Sequence, residues 1–124
     1  MQAKKRKLDR EERRENILRP SPYLGYDRDE LGLYFNDRGV EDLAEVQFRR
    51  AVWLNPYEVE FKVHLSECLY RRKKYVEAAQ WADDALKQKP DHQGAKNLKK
   101  WIEERSAIES RSGHSTPSTA TSTE

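Results

Sequence analysis

The sequence predicts an all-α fold, a short solenoid of two helix hairpins followed by one further helix. Apolar residues in the middle of the chain recur at intervals of three and four, the spacing of one face of an α-helix. The same pattern returns after 34 residues, so that Ala51 matches Ala85 and Pro56 matches Pro90. Because one hairpin leaves an apolar face uncovered, hairpins at a fixed interval are predicted to stack on each other.

The apolar pattern and its interruptions define the predicted helices. The first hairpin is predicted to pair residues 28–37 with 41–54, and the second to pair 58–71 with 75–88. A final helix is predicted at about 92–105, where apolar residues again follow one face.

Two capping signatures support the predicted helix starts. Asp27 is followed three residues later by Glu30, which is the spacing of a capping box. Asn55 precedes Pro56 and Glu58, which predicts Asn55 as the N-cap of the third helix with proline at the first helical position.

Small residues recur where the paired helices are expected to approach each other. Gly32 and Ala44 in the first hairpin correspond to Ser66 and Ala78 in the second. Positions without bulk let two helix axes come close, and larger side chains then fill the remaining space. The predicted space-filling side chains are Phe35, Phe48, Leu65 and Tyr75, and Leu31 is matched with Leu65.

The composition divides the 124-residue chain into three parts. Residues 1–19 form a charged, basic N-terminal arm with eight Lys or Arg against four acids, open to partial helix formation. Residues 20–105 form the predicted helical domain. Residues 106–124 are rich in Ser and Thr and are predicted to be disordered, because they cannot bury enough apolar surface to offset the entropy of ordering.

The period, the small residues and the terminal proline together resemble the tetratricopeptide repeat (TPR). The repeats span about 25–58 and 59–92, and the helix at about 92–105 looks like the solvating cap of that family. The resemblance implies a right-handed superhelix of antiparallel helix pairs that binds protein partners and performs no chemistry. The first copy carries Leu31, Gly32, Phe35, Gly39, Ala44, Phe48, Ala51 and Pro56, and the second departs from the pattern at Ser66, Leu69, Lys73 and Ala82.

The resemblance also places the first helix of each hairpin on a concave, partner-binding face. We expect this groove to be more acidic than basic, and to suit an amphipathic helix or extended segment with some basic character. The alternative is that its residues are simply solvated helix faces. The candidate partner-binding residues are Tyr26, Asp29, Glu30, Leu33, Asn36, Asp37, Glu60, Val63, His64, Glu67, Tyr70 and Arg71.

One subgroup of the family holds a partner's terminal carboxylate with Lys, Asn and Arg on this face. Asp29, Leu33 and His64 stand at the corresponding positions, so this mode of binding is disfavoured.

The chain shows no arrangement of residues that indicates catalysis, a cofactor or a metal site. Cys68 is its only cysteine and is predicted to be a buried structural thiol, because nothing marks a third group to orient His64 as its base. The three histidines lack metal-ligand spacing. Trp53, Trp81 and Trp101 are predicted to be packing residues.

These observations predict a non-catalytic adaptor that binds a segment of a partner protein, with the cytoplasm as its location. A nucleic-acid-associated factor that uses the KKRK stretch of the arm is the alternative, and nearby acids and a net charge of only +2 disfavour it. No run of apolar residues is long enough to span a membrane. Two repeats are few for independent stability, so a homo-oligomer stays open as one source of further cover.

Overall fold

The computed structural model of the protein describes residues 20–112, and this part of the chain is all-helical, with five α-helices and no strand. The helices are α1 Tyr26–Asp37, α2 Glu41–Leu54, α3 Val59–Arg71, α4 Tyr75–Gln88 and α5 Gln93–Ser112. The all-α prediction is confirmed for these residues, and the first four helices end where the sequence predicted. The predicted arm at 1–19 lies outside the described part, as do residues 113–124 of the predicted tail.

The five helices form two layers. Each helix packs against the next one along the chain, and α1 also contacts α3, as α3 contacts α5. We therefore describe α1, α3 and α5 as the three-helix layer, with α2 and α4 as the two-helix layer. The core lies between the layers and combines buried alanines with a few large apolar side chains, among them Phe48, Phe61, Leu65, Leu69 and Ile102.

The backbone hydrogen bonds of the connections repeat at the interval found in the sequence. The Gly39 amide donates to the Asn36 carbonyl at 3.1 Å, and 34 residues later the Lys73 amide donates to the Tyr70 carbonyl at 3.0 Å. The ends of α2 and α4 repeat in the same way, with Asn55 bonded to Ala51 and Lys89 bonded to Ala85. The two hairpins thus share these backbone hydrogen bonds of their connections and helix ends at the interval of the sequence repeat.

Gly39 and Lys73 adopt the same left-handed backbone conformation, with φ angles of 77° and 65°. Glycine adopts this conformation freely, whereas a residue with a Cβ pays a steric cost of about 1–2 kcal/mol. The departure of the second repeat at Lys73 therefore leaves the turn unchanged but strains it.

Small residues do allow the close helix approach that the sequence predicts. Ala44 and Ala78 are fully buried, and a Cβ built on Gly32 would lie only 2.5 Å from Phe48. In the second hairpin, the hydroxyl of Ser66 donates to the carbonyl of Ala78 at 2.7 Å. In each hairpin, the backbone or a small side chain of one helix therefore lies directly against the other helix.

The predicted capping box at the start of α1 is wrong. α1 begins after Gly25, whose positive φ of 92° turns the chain, and no side chain caps the helix. The carboxylate of Asp27 accepts instead from the next amide, that of Arg28, at 2.9 Å. Packing decides this turn, because a Cβ on Gly25 would lie 2.9 Å from Phe61.

Asn55 is not the N-cap of the third helix. Its side chain is fully buried, and its amide donates to the carbonyl of Leu24 at 3.1 Å. Its Oδ1 accepts from the amide of Tyr57 at 3.1 Å, which fixes the turn between the hairpins. Glu58 caps α3, because its carboxylate accepts from the Glu60 amide at 3.3 Å.

Two further expectations fail at the ends of the stack. Leu31 is 38% exposed although its match Leu65 is fully buried, because α1 is the first helix of the described stack. Residues 106–112, predicted to begin a disordered tail, continue α5 as helix. Contact with α4 explains the extra turns, since the Tyr75 hydroxyl donates to Glu109 at 3.1 Å.

A partly buried charge network joins the two hairpins. Glu45 on α2 is only 7% exposed. Its carboxylate meets three cations, Arg49 at 2.7 Å, Arg72 at 2.6 Å and Lys74 at 3.2 Å. Arg49 continues to Glu77 on α4 at 2.7 Å. Burial alone would raise the pKa of Glu45, but its hydrogen bonds with Arg49, Lys74 and Arg72 outweigh burial and hold that pKa below its ordinary value.

The close approach of the helices predicts a strong response to added volume. Ala78→Leu places extra atoms where α3 and α4 meet and is expected to lower the free energy of unfolding by about 1–3 kcal/mol. Gln80→Leu on the exposed side of α4 is the matched control. Chemical denaturation of both variants measures the difference, and equal stabilities would contradict the packing described here.

The two left-handed turns predict substitutions of opposite sign. Lys73→Gly relieves the strained turn and is expected to raise the free energy of unfolding by about 0.5–1 kcal/mol. Gly39→Lys introduces the same strain into the first hairpin and is expected to lower the free energy of unfolding by a similar amount, since nothing crowds a Cβ there. Equilibrium unfolding in urea measures both changes, and effects of the same sign would contradict this account.

Candidate functional site

The twelve predicted partner-binding residues all lie on α1 and α3, two neighbouring helices of the three-helix layer. Their environments differ, however, and only some of them are available to a partner. Because α1 and α3 contact each other, side chains that face the shared boundary meet one another instead of solvent.

Asp29 and His64 form a direct link between α1 and α3. Nδ1 of His64 lies 2.8 Å from one carboxylate oxygen of Asp29 and 3.0 Å from the other. Asp29 is only 7% exposed, so little of its surface is open to a partner, and its contact with one stays a prediction. Burial lowers the pKa of His64, but the hydrogen bond and charge of Asp29, aided by Glu60 and Glu67, outweigh burial and hold it above its ordinary value.

Val63 is a second predicted contact whose side chain is largely buried. Its side chain is 9% exposed and belongs to the apolar core. Leu33 and Tyr70 also pack against this core but remain partly exposed, and the ring of Tyr70 lies 6.0 Å from that of Tyr75. The apolar candidates Leu33, Val63 and Tyr70 therefore all contribute to the packing of the protein.

Tyr26 is presented to solvent in a fixed orientation. Its ring is 46% exposed and packs edge-on against Phe61, with 5.0 Å between the ring centroids. Its hydroxyl donates to Glu58 at 2.8 Å. That hydrogen bond raises the pKa of Tyr26 above its ordinary value.

The remaining charged candidates on α1 and α3 are mostly acidic. Glu30 and Asp37 are exposed. Glu60 is also exposed and lies 2.6 Å from His92, and Glu67 accepts from Arg71 at 3.1 Å. Oδ1 of Asn36, another polar candidate on α1, is a buried acceptor with no hydrogen-bond partner among the described residues.

Trp101 on α5 is a further candidate partner-binding residue. The sequence pattern indicated it only as a packing residue. Trp101 is 50% exposed and Trp53 on α2 is 48% exposed, so the prediction that both are packing residues is wrong. Trp81, the third predicted packing residue, is partly buried. The signal was present in the sequence, since Trp101 stands 34 residues after Glu67. Equivalent positions of repeating helices face the same side of a layer.

We name this surface the α1–α3–α5 face. It combines exposed or partly exposed aromatic and aliphatic side chains with several carboxylates. Its members are Tyr26, Glu30, Leu33, Asp37, Glu60, Glu67, Tyr70, Arg71 and Trp101.

Cys68 is the buried structural thiol that the sequence predicts. The side chain is fully buried, and its Sγ lies 3.5 Å from the carbonyl of Glu41. Burial raises the pKa of this thiol to about 11, so it is protonated at neutral pH. His64 is engaged with Asp29 instead of the thiol.

Between residues 20 and 112, no group of three His, Cys, Asp or Glu side chains is arranged to hold a metal ion. No helix in that range has the length and apolar character needed to cross a bilayer.

Comparison with known proteins finds no matching family model and no curated protein of significant similarity.

The Asp29–His64 link predicts a specific pH dependence of stability. Because the folded state favours protonated His64, its contribution is present below about pH 6.5 and is lost as the pH rises through the raised folded-state pKa. Urea unfolding of the wild type and His64→Gln at about pH 5.5 and about pH 8.5 measures this contribution. The stability gap between the two proteins is expected to shrink at the higher pH, and a gap that grows would contradict the link.

Proposed function

We propose that this protein is a non-catalytic interaction module of the TPR kind, and that its α1–α3–α5 face binds a segment of a partner protein. Hairpins that repeat every 34 residues, in sequence and in loop hydrogen bonds, support the repeat assignment. The direct contacts of α1 with α3 and of α3 with α5 favour this layer as the inner, concave one of a right-handed solenoid.

The observation that carries the proposal is the pairing of exposed aromatic rings with acidic residues on one layer. Tyr26 and Trp101 are about half exposed, and large aromatic side chains are the commonest anchors of protein interfaces. Glu30, Glu60 and Glu67 add exposed or partly exposed negative charge to the same layer. A helix or extended segment with apolar and basic side chains complements this surface.

The physical advantage of such a face is that it is formed before the partner arrives. Helix packing already holds Tyr26 against Phe61 and Tyr70 near Tyr75. A preformed surface loses little conformational entropy on binding, so more of the contact energy becomes affinity. The cytoplasm remains the proposed location.

The chain offers a matched pair of variants to test this proposal. Trp101→Glu alters the α1–α3–α5 face, and Trp53→Glu alters an equally exposed tryptophan on the two-helix layer. Immobilised wild type and both variants, each comprising residues 1–124, are compared for proteins captured from a nuclease-treated lysate. We expect a partner retained by Trp53→Glu and depleted by about tenfold or more with Trp101→Glu.

Two other outcomes would contradict the proposal. Equal loss of a partner with both variants would show that the α1–α3–α5 face is not selective. Capture that requires nucleic acid and falls steeply with salt would favour the nucleic-acid-associated alternative.

A further inference from the structure

One side of α1 exposes side chains whose counterparts on α3 are buried. Leu31 and Tyr34 are 38% and 50% exposed, whereas Leu65 and Cys68, the residues 34 positions later, are fully buried. The preceding helix α2 covers α3 there, since the carbonyl of Glu41 lies 3.5 Å from Sγ of Cys68. Among the described residues, no helix precedes α1. The corresponding side of α1 is therefore the exposed end of the described stack.

Charged residues stand at both ends of this exposed side. Four exposed residues at intervals of four, three and four line the same side of α1. We name them the α1 strip: Asp27, Leu31, Tyr34 and Arg38, the last of which directly follows the helix. A cleft of about 450 Å³, lined in part by Asp27, Leu31 and Tyr34, lies on this strip.

The α1 strip is symmetric in position and opposite in charge about its centre. The midpoint of Asp27 and Arg38 along the sequence is also the midpoint of Leu31 and Tyr34. A second α1, packed antiparallel about a two-fold axis at this midpoint, would place each Asp27 beside the Arg38 of the other copy. Each Leu31 would then lie beside a Tyr34. Intervals of three and four are also those at which two helices pack along a narrow seam, so the strip is complementary to itself.

Arg38 is already positioned for such a contact. Its guanidinium lies 3.6 Å from the centre of the Tyr34 ring, and its Nη1 donates to the Tyr34 carbonyl at 3.2 Å. A guanidinium has several N–H donors, so a carboxylate can still bind to it. The counterpart Arg72 pairs with Glu45 of the preceding hairpin at 2.6 Å. Where the stack continues, this position therefore meets an acid from another hairpin.

A further exposed apolar residue lies on the same side of the first hairpin. Leu43 on α2 is 45% exposed. Its counterpart Glu77 on α4 contacts Arg49 of the preceding hairpin at 2.7 Å. The position of Leu43 is thus one that faces a neighbouring hairpin in the second repeat, and in the first repeat it extends the apolar surface beside the α1 strip.

We propose that the α1 strip is a dimer interface, at which two copies of this chain pack α1 against α1 in antiparallel orientation. The second copy continues the stack of hairpins and supplies cover that two repeats lack. Because the strip is smaller than an interface of standard size, a weak dimer is expected, with a Kd of about 10–100 µM. The proposal is independent of partner binding, since the strip shares no residue with the α1–α3–α5 face.

Reversal of one charge in the 124-residue chain tests the arrangement. Asp27→Arg places an arginine beside Arg38 of the other copy, and Arg38→Asp places an aspartate beside Asp27. Each variant is expected to raise the Kd of dimerisation by about tenfold or more, as measured by sedimentation equilibrium between about 5 and 500 µM. Glu104→Arg, an exposed position on α5, is the matched control and is expected to leave the Kd unchanged.

Two results of this comparison would overturn the proposal. One is a wild type that stays monomeric over the whole concentration range. The other is a dimer that Glu104→Arg weakens as much as Asp27→Arg does, because the α1 strip would then have no particular part in association.

A mixture of the two variants separates the proposed pairing from a general loss of stability. Asp27→Arg leaves a base at both ends of the strip, and Arg38→Asp leaves an acid at both ends, so the two chains complement each other. An equimolar mixture is expected to dimerise with a Kd close to that of the wild type, although each variant alone is largely monomeric. A mixture that associates no better than the separate variants would also overturn the proposal.

Discussion

The close approach of two helices at positions almost without side chains is the constraint on which the rest of this structure depends. Gly32 meets Phe48 in the first hairpin, and Ser66 bonds to the backbone at Ala78 in the second. Interiors packed at crystal-like density do not tolerate added volume there. Each hairpin is therefore a closely packed unit whose shape is set by a few small residues.

Ion pairs as well as apolar contacts join the two hairpins. Glu45 forms ion pairs with three cationic side chains beside the α3–α4 turn, and Asp29 of α1 pairs with His64 of α3. Buried ion pairs add little net stability compared with apolar packing, but a broken pair is costly. Removal of one partner of these pairs is therefore expected to cost more stability than the intact pair contributes.

The same packing that holds the layers together determines what is left for a partner. Asp29 and Val63 are buried by contacts within the protein. Tyr26 on α1 and Trp101 on α5 are about half exposed to solvent. A thiol that is buried and protonated at Cys68 adds nothing reactive to this surface. What remains is an acidic surface with exposed aromatic side chains, and these are the features on which the proposed partner binding rests.

The sequence by itself determined the helices, their order and the pairing of small residues with large ones. These features follow from local periodicity and from a repeat that is visible without any coordinates, as the matched pairs Ala51–Ala85 and Pro56–Pro90 illustrate. Tertiary structure alone decided the roles of Asp29, Asn55 and Trp101, because each depends on what a distant helix places beside it. Asn55 reads as a helix cap from its neighbours in sequence, yet it is a buried hydrogen-bonding residue because Leu24 lies against it. Burial depends on neighbours remote in sequence, and a pattern of adjacent residues does not record them.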